Sequence, residues 1–321
     1  MINIQNKKVI VTGAKSMIGR SIIKELRNKD AIVEPLYHED CDLLKYSECL
    51  QRFRRSKPDF CIHAAGYNGN ISFNKKYPSD IFFNTSTMGL NVLNVCAKEG
   101  VRKVVTLLAS CAYRSTEEEL KESDFFLGMP DPSVEAHGLS KKTLFYYSKQ
   151  ICKQYDISAV CTIFNTAYGP WDSYNINKTK VVGALIKKFV DAVDNFENKV
   201  ICWGTGSPRR ELIYCDDAAK GVIQTLEKYD DISLPINIGL GTDISIKQLA
   251  EKIGNIVGYS GEIIWDTDRP DGQYRKILNA DRAKQYGIKT NNFKSLDDGL
   301  RETIDWYKSF KNVRSNEKNF Y

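Results

Sequence analysis

Residues 133–142 read SVEAHGLSKK and set His137 four positions before Lys141. Positions four apart share one face of a helix, so both side chains could serve one reacting atom. Histidine titrates near ~6.5 unaided, and a neighbouring lysine disfavours its positive form. A neutral imidazole still has an N–H with which to polarise a carbonyl. The chemistry open to the pair is proton handling at an oxygen, such as supplying the alkoxide formed when a ketone takes up hydride. A satisfied polar histidine in a binding-only protein is the plainer reading of the same residues.

A second constellation is VTGAKSMIG, residues 11–19, with the spacing G-x-x-S-x-x-G. Gly13 permits a tight strand-to-helix turn, a small residue at Ser16 lets backbone approach a pyrophosphate, and Gly19 lets helix and strand pack closely. The start of the following helix attracts phosphates. The next strand ends in LYHED, where Lys15 and His38 could meet a 2′-phosphate and Glu39 and Asp40 follow closely. NADP(H) is the expected cofactor. The residues expected against it are Gly13, Lys15, Ser16, Met17, Ile18, Gly19, His38, Asp42, Leu43, Ala64, Ala65, Gly66 and Lys141.

Elements of a recognisable order must position these groups. Apolar, β-branched runs at 7–14, 31–37, 58–66, 102–110 and 159–165 read as buried strands. Between them, 16–29, 43–55, 79–100 and 133–155 carry helical spacing, the third closed by Gly100. Alternation of this kind implies a parallel sheet covered on both faces. The later chain is more broken: helix at 181–194, strands at 200–204 and 211–214, helix at 216–228 and strand at 236–240. Helix at 245–258, an extended run at 262–266 and helix at 296–310 follow, and the closing RSNEKNFY reads as a frayed tail. The expected fold is α/β, a Rossmann-type doubly wound parallel sheet with a smaller C-terminal α/β substrate lobe. Residues 1–170 with about 211–240 would form the first, and 171–210 with 241–321 the second.

Composition narrows the function classes. With 42% apolar and 27% charged residues, the 321-residue chain suits an ordinary globular protein. No run of about 18 apolar residues suggests a membrane span, and the N-terminus lacks signal-peptide anatomy. A net charge of +6, dispersed, favours small anionic ligands over nucleic acid. Nine cysteines fall singly within mostly apolar runs, as reduced thiols of a cytoplasmic protein would. Three histidines, at 38, 63 and 137, offer no metal-ligand spacing.

Together with the phosphate loop, the stretches HAAGYNGNI (63–71), SCAYR (110–114), YGPWD (168–172), WGTGSPRRE (203–211), YCDD (214–217) and RPDGQYRK (269–276) carry a resemblance over nearly the whole chain. The sequence resembles the extended short-chain dehydrogenase/reductases, and within them the GDP-L-fucose synthase group. The resemblance implies a nucleotide-sugar lobe, surface polysaccharide precursor (capsule) synthesis, and a homodimer through helices 79–99 and 134–155. It also implies that Lys141 holds the nicotinamide ribose and that Cys111 is the cysteine of the epimerisation pair. The pattern departs at three places. Ala109 stands where the family has Ser or Thr, with Ser110 beside it and expected to point to the other side of a strand unless a bulge re-aims it. His137 replaces the tyrosine of Tyr-x-x-x-Lys, and Lys180 falls on the family's epimerising histidine.

The expected catalytic set is His137, Lys141, Ser110, Cys111 and Lys180. Expected against the substrate are Asn165, Lys188, Trp203, Arg210, Arg275 and Lys276, with Arg210 on the diphosphate. The expected activity is NADPH-dependent reduction at C4 of a GDP-linked 4-keto sugar, a 6-deoxyhexose or heptose, with little or no epimerase activity. A full epimerase/reductase, a GDP-sugar 4-dehydrogenase and a silent nucleotide-sugar-binding homologue are the alternatives.

Overall fold

The computed structural model describes residues 1–175, 178–269, 271–290 and 292–317. The chain begins with β1 (Lys8–Thr12), α1 (Met17–Asn28), β2 (Ile32–Leu36), α2 (Tyr46–Ser56), β3 (Phe60–His63), α3 (Ile71–Lys76), α4 (Pro78–Lys98) and β4 (Lys103–Leu107). It continues through α5 (Glu135–Gln154), β5 (Ser158–Phe164), β6 (Thr166–Tyr168), α6 (Val181–Asp194), β7 (Lys199–Trp203), β8 (Arg209–Arg210), β9 (Leu212–Tyr214) and α7 (Cys215–Lys228). The last part holds β10 (Ile236–Ile238), β11 (Ile244–Ser245), α8 (Ile246–Val257), β12 (Glu262–Asp266), β13 (Arg275–Lys276), α9 (Asp281–Gln285) and α10 (Leu296–Glu317).

Six strands form one parallel sheet in the order β10-β5-β4-β3-β1-β2. Its central strands are apolar and buried on both faces, as a helix-covered parallel sheet requires. One core lies under α4 and α5 and another under α1 and α7. α4 and α5 lie close because Gly89 faces Leu144; a Cβ at Gly89 would fall 2.4 Å from it. Strand order reverses between β1 and β3, and in such sheets ligands bind outside the strands' carboxyl ends at that crevice.

The chain leaves this sheet after β5 and returns to it. α6, α8, β7, β9 and α10 enclose a third core, whereas α7 packs on α1 and β10 joins the sheet edge beside β5. Two small sheets bridge the regions: β6 with β9, and β11-β8-β13. Among the described residues no helix is long and apolar enough to cross a membrane.

Local differences from the sequence expectations have simple causes. The strand of 58–66 stops at His63, and Ala64–Gly66 turn away as a loop. The strand of 102–110 stops at Leu107, and Ser110–Ala112 form a 3-10 turn. α3 is an additional element, started by Asn70, whose side chain accepts the Phe73 N–H at 2.9 Å. α10 runs on to Glu317, so residues 314–317 of the expected frayed tail are helical. Residues 318–321 of that tail, and Pro270 of RPDGQYRK, lie outside the described residues.

Candidate active site

The phosphate loop is a cradle built on absent side chains. Gly13 has φ +67°, and a Cβ there would lie 2.8 Å from the backbone of Ala64 and Ala65. A Cβ at Gly19 would come 2.2 Å from the Gly13 carbonyl. Both contacts seat the start of α1 against β1 and the 64–66 loop, where Met17 and Ile18 follow. Ser16 caps that helix: its Oγ accepts the Gly19 N–H at 3.0 Å and donates to the Gly13 carbonyl at 2.8 Å. The resulting helix start suits a pyrophosphate.

The adenosine end is less cationic than the sequence suggested. Lys15 Nζ lies 2.5 Å from Glu39 and 5.6 Å from the centre of the Tyr37 ring. His38 is exposed beside it. Lys15 and Glu39 are both exposed, so their pairing is weak, and a doubly charged phosphate can compete with one carboxylate. Asp42 shapes the following turn by accepting the Leu44 N–H. Leu43 has its side chain buried in the core, and its carbonyl accepts Asn91 Nδ2 at 2.9 Å.

α5 brings the proton-handling pair to the carboxyl end of β4. His137 and Lys141 are both buried. Lys141 Nζ donates to the Leu107 carbonyl at 2.9 Å, and a Cβ built on Gly66 would stand 3.8 Å from it. Gly138 explains how the helix sits so low, because a Cβ there would fall 2.6 Å from the Cys111 carbonyl. The sequence signal for that contact was a glycine inside a helix, where it costs about 1 kcal/mol against alanine. Ser110, on the turn beneath α5, is buried; since that segment is not a strand, strand alternation does not decide where it points.

Charge converges on this place. Burial pushes His137 well below the usual histidine range, and Lys141, Lys180 and Lys276 add to the effect. Burial also lowers Lys141 to about 8, with Lys180 acting in the same direction and Cys111 and Cys161 against it. Cys111 is pushed up by burial, opposed by Lys276, Lys141 and Lys180. Lys276 and Arg210 are lowered by burial; Cys111 and Asp131 counter it at Lys276, and Asp131 and Asp271 at Arg210. Four cationic side chains thus meet two thiols and two carboxylates, a balance that favours an anionic ligand. His137 Nδ1 and Gln273 Nε2 are buried with no hydrogen-bond partner among the described residues.

Other expected substrate residues are otherwise engaged. Arg275 points away from Lys276, its strand neighbour, and bonds Asp243 at 2.6 Å and the Glu117 carbonyl at 3.2 Å. Adjacent residues on a strand face opposite sides, so only Lys276 of this pair joins the cluster. Lys188 donates to the Ile201 carbonyl at 2.6 Å and lies over the Trp203 ring. Trp203 itself is half exposed, with Arg269 also over its ring. Asn165 Nδ2 donates to Glu211 at 2.6 Å, and its Oδ1 is buried without a partner.

Sequence reasoning missed Glu211, a buried carboxylate accepting from Asn165, Leu240, Gly241 and Leu278. It also missed Asp131, held by Ser133 and Ser115. The partners of Glu211 are scattered along the chain with no local spacing to announce them, whereas Ser133 lies two residues from Asp131. No group of three or more metal-ligating side chains occurs among the described residues.

The family model for the NAD dependent epimerase/dehydratase family matches residues 9–239. The GDP-L-fucose synthase of Sinorhizobium fredii (strain NBRC 101917 / NGR234) is 31% identical over 98% of this chain and 99% of its own. A solved GDP-mannoheptose C4 reductase from Campylobacter jejuni with NADP bound superposes with TM-score 0.84 at 26% identity, covering 96% of this chain and 99% of that one. A GDP-6-OMe-4-keto-L-xylo-heptose reductase from C. jejuni shares the fold, with TM-score 0.87, 24% identity and the same coverage.

Proposed function

We propose that this chain, which belongs to the NAD dependent epimerase/dehydratase family, is an NADPH-dependent C4 reductase of a GDP-linked 4-keto sugar, with little or no epimerase activity. The sugar is a 6-deoxyhexose or a heptose. The observation that carries this reading is the gathering of Lys141, Lys180 and Lys276 about both Cys111 and His137, with Arg210 beside Lys276 and Lys180 at the position of the family's epimerising histidine. The similar proteins, a GDP-L-fucose synthase and GDP-heptose reductases, support the substrate class.

The nicotinamide cofactor, when bound, supplies the hydride. The start of α1 and the close-packed Gly13 would hold its pyrophosphate, Lys15 would meet the 2′-phosphate, and Lys141 would hold the nicotinamide ribose. Arg210 and Lys276 would take the sugar's diphosphate, for which arginine's planar fork is suited. His137 stays neutral at working pH and donates its ring N–H to the keto oxygen, stabilising the charge that develops there. Lys141, one turn along the helix, is the proton reserve.

Epimerisation asks for one group to remove a proton and another to return it on the opposite face. Burial pushes the Cys111 thiol up, opposed by Lys276, Lys141 and Lys180, and the exposed Lys180 stands in place of the family's histidine. The epimerising pair has lost its imidazole partner. The homodimer we infer through α4 and α5 is supported by Phe82, Phe83 and Tyr146, exposed on those helices.

The test is NADPH consumption with GDP-4-keto-6-deoxy-mannose, with and without a separate 3,5-epimerase, and identification of the product. Consumption giving a product reduced but not epimerised, or consumption only when the epimerase is present, supports the reading. Unaided formation of a product inverted at C3 and C5 overturns the loss of epimerase activity.

A further inference from the structure

The start of α1 is held from two sides. Met17 and Ile18 pack against both the core under α1 and α7 and the core of the lobe, so the phosphate loop lies where sheet and lobe meet. Within the loop the Lys15–Ser16 peptide is fixed at both ends. Its N–H donates to the Gly13 carbonyl at 3.0 Å, and its carbonyl accepts Arg20 Nε at 3.1 Å. The first bond is local to the G-x-x-S-x-x-G spacing. The second depends on where a long, exposed side chain comes to rest.

It rests on the lobe. The Arg20 guanidinium lies 4.2 Å from the centre of the Trp171 ring, in the segment between β6 and α6 that ends at Lys180. Indole offers a cation the most favourable aromatic face, and among the described residues no carboxylate pairs with Arg20 to draw it away. Trp171 has a φ of +70°, a left-handed conformation that costs a bulky residue energy and persists only where its surroundings impose it. Those surroundings are Arg20 and Trp306 of α10, whose ring centre lies 5.2 Å from that of Trp171. The indole is nevertheless half exposed, so burial alone does not account for the strain.

We infer that Arg20 and Trp171 are positioning residues for the cofactor: Trp171 braces Arg20, Arg20 pins the Lys15 carbonyl, and the pinned loop presents Lys15 to the 2′-phosphate. Neither residue touches the reacting atoms. The inference rests on the reading of residues 11–19 as the phosphate loop of an NADP enzyme, and it holds whichever sugar is reduced. Because the brace belongs to the lobe, the part of the chain that takes the sugar also sets part of the affinity for the dinucleotide.

The experiment titrates NADPH and NADH by their own fluorescence with no sugar present, so a wrong sugar assignment leaves the readout intact. Trp171→Ala keeps every charge and removes the brace. It is expected to weaken NADPH binding about three- to fivefold, the scale of an exposed cation–π contact, and NADH binding by less, since NADH lacks the 2′-phosphate. Trp171→Phe, which keeps a ring, stays nearer wild type. Arg20→Ala, which also removes a charge, weakens NADPH at least as much as Trp171→Ala. The double variant loses no more than Arg20→Ala alone, because the two residues act as one unit. Should Trp171→Ala fail to fold, Trp171→Leu, which fills space without a π face, takes its place. Unchanged NADPH affinity in the folded Ala or Leu variant, equal losses for NADPH and NADH, or additive losses in the double variant overturn the inference.

Discussion

Two buried polar centres are built on different plans. At Glu211 both carboxylate oxygens are used: they take N–H groups from Asn165, Leu240, Gly241 and Leu278, and Asn165 Oδ1 beside them is left without a partner among the described residues. Those partners come from the end of β5, from beyond β10 and from beyond β13, so one side chain staples three returning strands. Around Lys141, by contrast, His137 Nδ1, His63 Nε2 and Thr106 Oγ1 are buried without partners. Buried polar groups normally find hydrogen bonds. A satisfied centre holds the chain; an unsatisfied one, ringed by cations, is shaped for something the chain does not itself contain.

The largest test of that contrast is Lys141→Met. It is expected to lower kcat about 1,000-fold, a barrier increase of about 4 kcal/mol, while the protein becomes more stable. The sign follows from burial, which lowers the folded lysine to about 8. Between about 8 and 10.5 the native state holds fewer protons than the unfolded one, so wild-type stability rises with pH across that window. The stability gain of the variant is thus fullest below pH 8 and fades above it, as thermal melts at several pH values would record. Wild-type turnover should decline as pH rises through 8, with no inflection near 6.5 from His137.

Glu211→Gln should do the reverse. Its amide would face backbone N–H groups with a donor in place of an acceptor, costing about 2–3 kcal/mol of stability. Per folded molecule, catalysis should stay near wild type, and a denaturant titration beside an activity assay separates the two. If the melt were unchanged and turnover lost, Glu211 would belong to the reacting centre and the contrast would be wrong.

Tyr113→Phe sharpens the same line with a smaller effect. Within SCAYR, this tyrosine is buried and its hydroxyl donates to Asn237 at 2.8 Å. Losing that bond should cost about 1 kcal/mol and leave kcat and cofactor affinity as they were, as urea titration and steady-state kinetics would record.

These centres differed in how far the sequence disclosed them. The parallel sheet was legible because its strands are uniformly apolar, and His137 and Lys141 because helical spacing puts them on one face. Gly13, Ser16 and Gly19 suggested their cradle by spacing together with their place after the first strand of an alternating α/β chain. Glu211 could not be read, since its partners lie 46, 29, 30 and 67 residues away. Arg275 was misplaced for want of strand alternation within a two-residue strand. Glu39 was read beside Lys15 and His38 at the end of the second strand, but not as the partner of Lys15, a pairing that the register of β1 and β2 makes.

The central claim is a reducing centre whose epimerising pair has lost its histidine. Its most direct measurement is turnover of GDP-4-keto-6-deoxy-mannose with NADPH in deuterium oxide, with the product read by NMR. A reductase of the kind described leaves the hydrogens at C3 and C5 unexchanged while the C4 ketone becomes an alcohol. Deuterium at C3 and C5 of the product would show that Cys111 and Lys180 still exchange those protons, and would contradict the account.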